Sequence, residues 1–219
     1  SAASDVYKRQ GDRMPQSRRY KKKKSAGKAI LAWIIVLAIL AAAVFVFVSV
    51  FYEDTKKKLD EMNYPRTYST YVEKAAKDYD LDPALIYAVI HTESGFDPKA
   101  ESGVGAKGVM QMMPSSFEWL QEQRGCAGQY TEDDLFDPEI CIDYGSYLLK
   151  YFYDYYGTER SAIAAYNAGF VVSDWLNDTN YSSDGKNLDS IPYPETENYV
   201  DKVEGAKEMY IKLYYSQSN

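Results

Sequence analysis

The chain is poor in the residues from which most catalytic centres are built. Among its 219 residues there is one histidine, His91, and two cysteines, Cys126 and Cys141. One imidazole leaves little material for a Ser-His-Asp or Cys-His relay, and His91 reads as a surface or supporting residue rather than a catalyst. Two thiols and one imidazole cannot complete a closed four-ligand zinc site, so neither metal nor cofactor is expected. Strand signals are scarce and no internal repeat is present. Basic charge is also nearly confined to one end. Residues 1–28 hold ten Lys or Arg against Asp5 and Asp12, a net +8, while the whole chain is −7, which leaves −15 on residues 29–219. Phosphate binding needs a basic face, so the main body is not expected to bind nucleic acid.

What the chain has instead is one long apolar run. Ala29 to Val50 is 22 residues without a charge, with Trp33 near one end. As a helix it reaches roughly 33 Å, enough to cross a hydrocarbon core of about 30 Å. Core helices seldom run this far without a polar face. The Lys and Arg before it place its N-terminal end in the cytoplasm and the body outside. Lys56 to Lys58 oppose that orientation, but Glu53 and Asp54 accompany them. A cleaved signal peptide has a shorter apolar core. Ala41 to Ala43 lies within the run, and an uncleaved signal anchor is the expectation. Position 1 is not Met, and residues 1–10 resemble translated sequencing-adaptor read-through. Residues 1–13 are therefore expected to lie outside the natural reading frame, and they are assigned no function.

The organisation expected from these signals is a basic cytoplasmic tail (1–28), a transmembrane anchor (29–50), a charged juxtamembrane stalk (51–64) and one globular domain (65–219). Within the domain, helices are expected over 68–79, 82–94, 114–124, 138–156, 159–168 and 195–214, the middle four bounded by Asp-Pro, Pro-Ser or Gly signals. Residues 177–192, rich in Asn, Asp, Ser and Gly, read as a surface loop. One short hairpin is allowed for around residues 99–113. Cys126 and Cys141 fall on the extracytoplasmic side, where a disulfide closing a loop of about 15 residues is worth roughly 3 kcal/mol in the chain-entropy account.

Glu93 is the most telling side chain. It ends the helix opened by Asp82-Pro83 and closed by Gly95. Ile90, Val89, Ile86 and Leu85 stand three, four, seven and eight residues before it, hence on its face. A carboxylate on an apolar stripe is desolvated, which raises its pKa and suits it to deliver a proton near neutral pH. A partner Lys or Arg, or an outward swing at a frayed helix end, are the alternatives at this point.

Three further segments bear on the choice. Ser102-Gly-Val-Gly-Ala-Lys-Gly-Val-Met-Gln111-Met-Met-Pro114 is glycine-dense yet apolar, which suits backbone held close to a ligand. It lacks the Lys-Ser/Thr ending of a phosphate loop. Ala164-Ala-Tyr166-Asn-Ala-Gly169 sets a phenol and an amide among small residues at a helix end. Glu195-Thr-Glu-Asn-Tyr199-Val200 puts Glu195 in a first helical turn, where the helix dipole favours a carboxylate. Met110, Met112 and Met113 read as core or cleft wall. Most of the 22 tyrosines must serve packing. Tyr151, Tyr153, Tyr155 and Tyr156 look like packing and interface residues, and Asn167 like a helix-end bond former.

In that order the four segments resemble the soluble lytic transglycosylase domain of the lysozyme-like superfamily. The resemblance covers about residues 65 to 215, with Val109 in place of the usual Leu. It implies a mainly α, lysozyme-like α+β fold after one transmembrane helix. It also implies cleavage of the β-1,4 bond between N-acetylmuramic acid and N-acetylglucosamine in the glycan strands of peptidoglycan, at a bacterial cell membrane. By the same resemblance, Glu93 protonates the glycosidic oxygen and then acts as base on the sugar's own 6-hydroxyl, closing a 1,6-anhydro ring. Ser102 and Gln111 are implied to bond sugar substituents. Tyr166 is implied to hold Glu93 or the charged transition state, and Glu195 to orient the network. Ordinary glycosidases need two carboxylates; one suffices where the substrate supplies the nucleophile. Two alternatives remain: a goose-type hydrolase using water and a second acid such as Asp97, and a non-catalytic glycan-binding module.

Overall fold

A computed structural model describes residues 17–216, and the expectation for residues 1–13 lies outside the described residues. The described chain falls into two compact units divided between Lys58 and Leu59. The first is dominated by α1 (Ser17–Asn63), whose Gly27–Asn63 portion is long and apolar enough to cross a membrane. Every large apolar side chain from Ile30 to Phe51 is exposed. A soluble helix buries such a stripe; this one offers apolar surface on all sides. The charged stalk is not a separate element, because α1 continues through it to Asn63.

In the second unit the helices are α2 (Ser69–Tyr79), α3 (Pro83–Ser94), α4 (Pro114–Gln123), α5 (Pro138–Tyr156), α6 (Glu159–Ala168), α7 (Val172–Leu176) and α8 (Pro194–Tyr210). A 3-10 turn (Glu132–Phe136) precedes α5, another (Gly169–Val171) precedes α7, and a π turn (Ile211–Tyr215) follows α8. Asp82 caps α3 by accepting from the Ala84 amide at 2.9 Å, and Asp137 caps α5 by accepting from Glu139 at 2.8 Å. Each is followed by proline at the first helical position, where the missing N–H costs nothing. Gly95 and Gly157 close those helices in the left-handed conformation.

Helix α3 departs from the expected single stripe. Every residue from Ala84 to Ile90 is buried, so the helix is the hub of the domain, packed chiefly against α8 and also against α2. A helix apolar all round belongs inside. The hairpin reduces to two isolated antiparallel bridges, Glu101 with Lys107 and Lys107 with Met112, and no strand occurs among the described residues. Helix α7 was not expected; its five residues carry too little periodicity to register.

The disulfide expectation is corrected: both cysteines are free. Cys141 is fully buried under the glycine-rich loop, where its Sγ receives the Met110 amide at 3.4 Å. Cys126 Sγ instead lies 3.3 Å from the Tyr144 hydroxyl. Both sulfurs are engaged with other groups. Burial pushes the Cys141 thiol up to about 12, which suppresses the nucleophilic thiolate. A thiol reagent should therefore label only half-buried Cys126 in the native protein. Intact-mass measurement before and after denaturation checks this, with Cys141 reacting only on unfolding.

Candidate active site

The loop between α3 and α4 is built onto the end of α3. The Ser94 hydroxyl donates to the Val109 carbonyl at 2.8 Å, pinning the residue after Glu93 to the loop. Within the loop, Lys107 and Met112 exchange backbone bonds at 3.0 Å, and the Gly108 amide donates to Ala100 O at 2.9 Å. Met110 and Met112 are buried, and Met113 is exposed. Gln111 sits at φ +47°, a left-handed conformation that costs a side-chain-bearing residue about 1 kcal/mol or more. Its own amide offsets that strain: Nε2 donates to Ala100 O and to Gly108 O, each at 3.0 Å.

Glu93 is partly buried, and its Oε1 accepts a 2.7 Å bond from the Tyr199 hydroxyl on α8. No lysine or arginine pairs with it, and no other hydrogen bond reaches it among the described residues. Burial raises its pKa to about 7, against the downward pull of the Tyr199 bond. Tyr166, on α6, donates to the Met110 carbonyl at 2.9 Å. Burial, and after it the charge of Glu93, hold both phenols well above their ordinary pKa. They are thus fixed neutral donors facing a carboxyl that changes charge near neutrality.

The other expected residues divide. The Ser102 Oγ accepts from the Ala106 amide at 2.9 Å, closing the loop's first turn and keeping its proton to donate. Gln111 has spent its amide hydrogens on the loop, leaving Oε1. Glu195 is exposed in the first turn of α8 and makes no hydrogen bond or ion pair among the described residues, so it does not touch the Glu93 network. Tyr199, one turn further along the same helix, does. Tyr199 belonged to the quoted motif but not to the expected site. Nothing in the local spacing singled it out, because the pairing depends on how α8 packs against α3. Thr196 donates to the Asn167 side chain at 2.8 Å, tying the start of α8 to the end of α6.

Asp97, the candidate second acid, is exposed and accepts from the Lys99 amide at 2.9 Å. His91 packs against Tyr64, ring centroids 4.8 Å apart and tilted by 32°, makes no bond to Glu93, and burial lowers its pKa. Among the described residues no group of three or more His, Cys, Asp or Glu is placed to hold a metal ion.

The family description "Transglycosylase SLT domain" matches residues 70–188, more than half of the chain. The chain belongs to this family. The match takes in Glu93, Ser102, Gln111 and Tyr166 and stops before α8. The soluble lytic murein transglycosylase of Escherichia coli K12 is 32% identical over 146 residues, 65% of this chain and 23% of that protein. The membrane-bound lytic murein transglycosylase C of Actinobacillus succinogenes is 30% identical over 170 residues, covering 68% of this chain and 48% of that one. The SLT domain chain therefore spans about a quarter to a half of the length of these relatives. Among solved structures, the 70 kDa soluble lytic transglycosylase of Escherichia coli superposes with a TM-score of 0.64 at 27% identity, over 71% of this chain and 26% of that one. An inactive Glu-to-Gln mutant of Slt from Pseudomonas aeruginosa superposes with a TM-score of 0.61 at 30% identity, over 69% and 25%.

The Tyr199 bond favours ionised Glu93, so Tyr199→Phe should raise the carboxyl's pKa further. If protonated Glu93 is the reactive form, the alkaline limb of kcat/KM moves to higher pH in this variant. A limb that stays in place, measured on purified sacculi, would break the link between the phenol and the carboxyl.

Proposed function

We propose that this chain is a membrane-anchored lytic transglycosylase of peptidoglycan. It cleaves the β-1,4 bond from N-acetylmuramic acid to N-acetylglucosamine and releases a 1,6-anhydro end. The observation that carries this reading is Glu93: one carboxyl, raised to about 7, gripped at Oε1 by Tyr199 and unpaired at Oε2. Protonated Glu93 donates to the glycosidic oxygen as the bond to the muramoyl C1 breaks. The resulting carboxylate then takes the proton of the same sugar's 6-hydroxyl as that oxygen bonds to C1. No water enters, and Glu93 ends protonated as it began. A single carboxyl is enough because the nucleophile arrives with the substrate.

Tyr199 keeps the carboxyl in one orientation, and Tyr166 braces the Met110 backbone beneath it. Ser102, through its hydroxyl proton, and Gln111, through Oε1, are the proposed contacts to sugar substituents. The orienting role expected of Glu195 passes to Tyr199. The apolar run of α1, with basic residues on its N-terminal side, supports a single-pass bacterial membrane anchor with the domain outside. The name of the membrane-bound relative fits that placement.

Fragment mass tests the chemistry. Full-length protein in mild detergent, given purified sacculi, should release muropeptides about 18 Da lighter than the hydrolysed equivalents, one water less. Reducing ends would instead establish a hydrolase. Intact sacculi that retain the protein would establish a binding module.

A further inference from the structure

The aromatic end of α5 has no part in the site described above. Tyr151, Phe152, Tyr155 and Tyr156 fill its last turns, and Phe170 lies over them. Phe170 meets Phe152 at 5.4 Å, Tyr155 at 5.8 Å, Tyr151 at 6.2 Å and, from α4, Trp119 at 6.4 Å, all close to edge-on. A cluster so well formed ordinarily belongs in a core. Here Tyr155 is 58% exposed and Phe170 49%.

The backbone is shaped to present it. Gly169 adopts φ 74°, ψ −155°, a region open essentially to glycine alone. Nothing lies within 4 Å of where its Cβ would stand, so crowding does not account for the glycine. What the glycine allows is the course of the chain that sets Phe170 at the surface. Phe170 follows Tyr166 by four residues, just past the end of α6. Trp119 is on α4, which begins at Pro114, directly after Met110 to Met113. Both edges of the patch are thus continuations of the two segments that form the candidate active site.

The geometry points to a glycan-stacking platform. Trp119, Tyr151, Tyr155 and Phe170 hold the sugar chain beyond the bond being cut, an inference that rests on the functional reading above. Sugars offer C–H faces to aromatic rings and hydroxyls to phenols. The Tyr151 and Tyr155 hydroxyls make no hydrogen bond among the described residues, and so are free for that use. The adjacent charges, Lys150 and Asp154, neutralise each other at 2.7 Å. A charge-balanced pair beside the rings does not favour an anionic lipid or nucleic acid.

The test compares long and short substrates with the full chain in detergent. In Tyr155→Ala/Phe170→Ala, kcat/KM on sacculi should fall about tenfold more than on short soluble muropeptides, through KM. Phe170→Trp, which keeps a ring at this position, should retain the wild-type ratio between the two substrates. Thermal melts confirm folding; if the double variant does not fold, Tyr155→Ala alone, at the most exposed ring, carries the comparison. Equal losses on both substrates, or none, overturn the platform while leaving the activity standing. Dissociation of an oligomer by these substitutions, seen by sedimentation, overturns it in favour of a second copy of the chain. A wild-type chain that cuts neither substrate removes the functional reading, and this inference with it.

Discussion

Glu93→Gln should abolish release of muropeptides from sacculi, with turnover falling by about 10²–10⁴-fold, the range attached to a positioned general acid and base. The substitution is chosen because it removes the titrating proton and little else. Glutamine has nearly the same shape, and its carbonyl oxygen can still accept the 2.7 Å bond from the Tyr199 hydroxyl. Met110, Tyr166 and the loop need not move, so binding to sacculi should persist. A variant that clears sacculi at more than about a tenth of the wild-type rate would place the chemistry elsewhere.

The same variant should be more stable than the wild type above neutral pH. Glu93 titrates near 4.3 in the unfolded chain and near 7 when folded. Between those values the folded state binds more protons than the unfolded one, so wild-type stability falls as pH rises. Below about pH 4 both states are protonated and the penalty is absent; above about pH 7.5 it is complete. The full shift corresponds to roughly 4 kcal/mol, and because Glu93 is only partly buried about 1–3 kcal/mol is expected. Glutamine carries no such penalty. Thermal melts at pH 4 and pH 8 should therefore nearly coincide for the two proteins at the lower pH and separate at the higher, with the variant above. A constant difference across pH would mean that the carboxyl is not held dry.

Much of this architecture could be read from local signals, and where reading failed the cause was long range. Asp82-Pro83 with Gly95, and Asp137-Pro138 with Gly157, mark two helices to within a residue because caps act on their own turn. Glu93 was legible because an acid among Leu85, Ile86, Val89 and Ile90 contradicts the pattern around it. Its partner was not, since a hydroxyl 106 residues away is brought to it only by the packing of α8 on α3. The burial of α3 on every side likewise depends on how many helices surround it. The cysteines misled for a related reason. Compartment and spacing permit a bridge, but each sulfur's direction is set by the helix face it occupies, and Cys141 faces the loop. Gln111 shows the limit most sharply. Its motif suggested a ligand contact, but not that its backbone is left-handed or that both amide hydrogens brace its own loop, leaving only Oε1 for a ligand.

Gly105 and Gly108 look equivalent in the sequence, and replacing each with alanine should separate them widely. Both have left-handed backbones, φ +87° and +75°, so each alanine costs about 1 kcal/mol in conformation. At Gly105 the added methyl meets nothing within 4 Å, and the cost ends there. At Gly108 it would stand 2.0 Å from the Leu135 carbonyl oxygen and 2.9 Å from Cys141 Sγ. Neither can yield cheaply: Leu135 is backbone in the turn leading into α5, and Cys141 is buried on α5 itself. Overpacking of this kind adds roughly 3 kcal/mol or more to the conformational cost. At about 2–4 °C per kcal/mol for a domain of this size, Gly105→Ala should lower the melting temperature by a few degrees and Gly108→Ala by about 10 °C or more. Activity should follow the loop. Displacing residue 108 moves the Val109 carbonyl that holds Ser94 and the Met110 carbonyl that holds Tyr166, so any Gly108→Ala protein that folds should also lose most of its turnover. Equal melting temperatures for the two variants would mean that the loop is free to lift off α5, and the fixed geometry around Glu93 could not then be maintained by it.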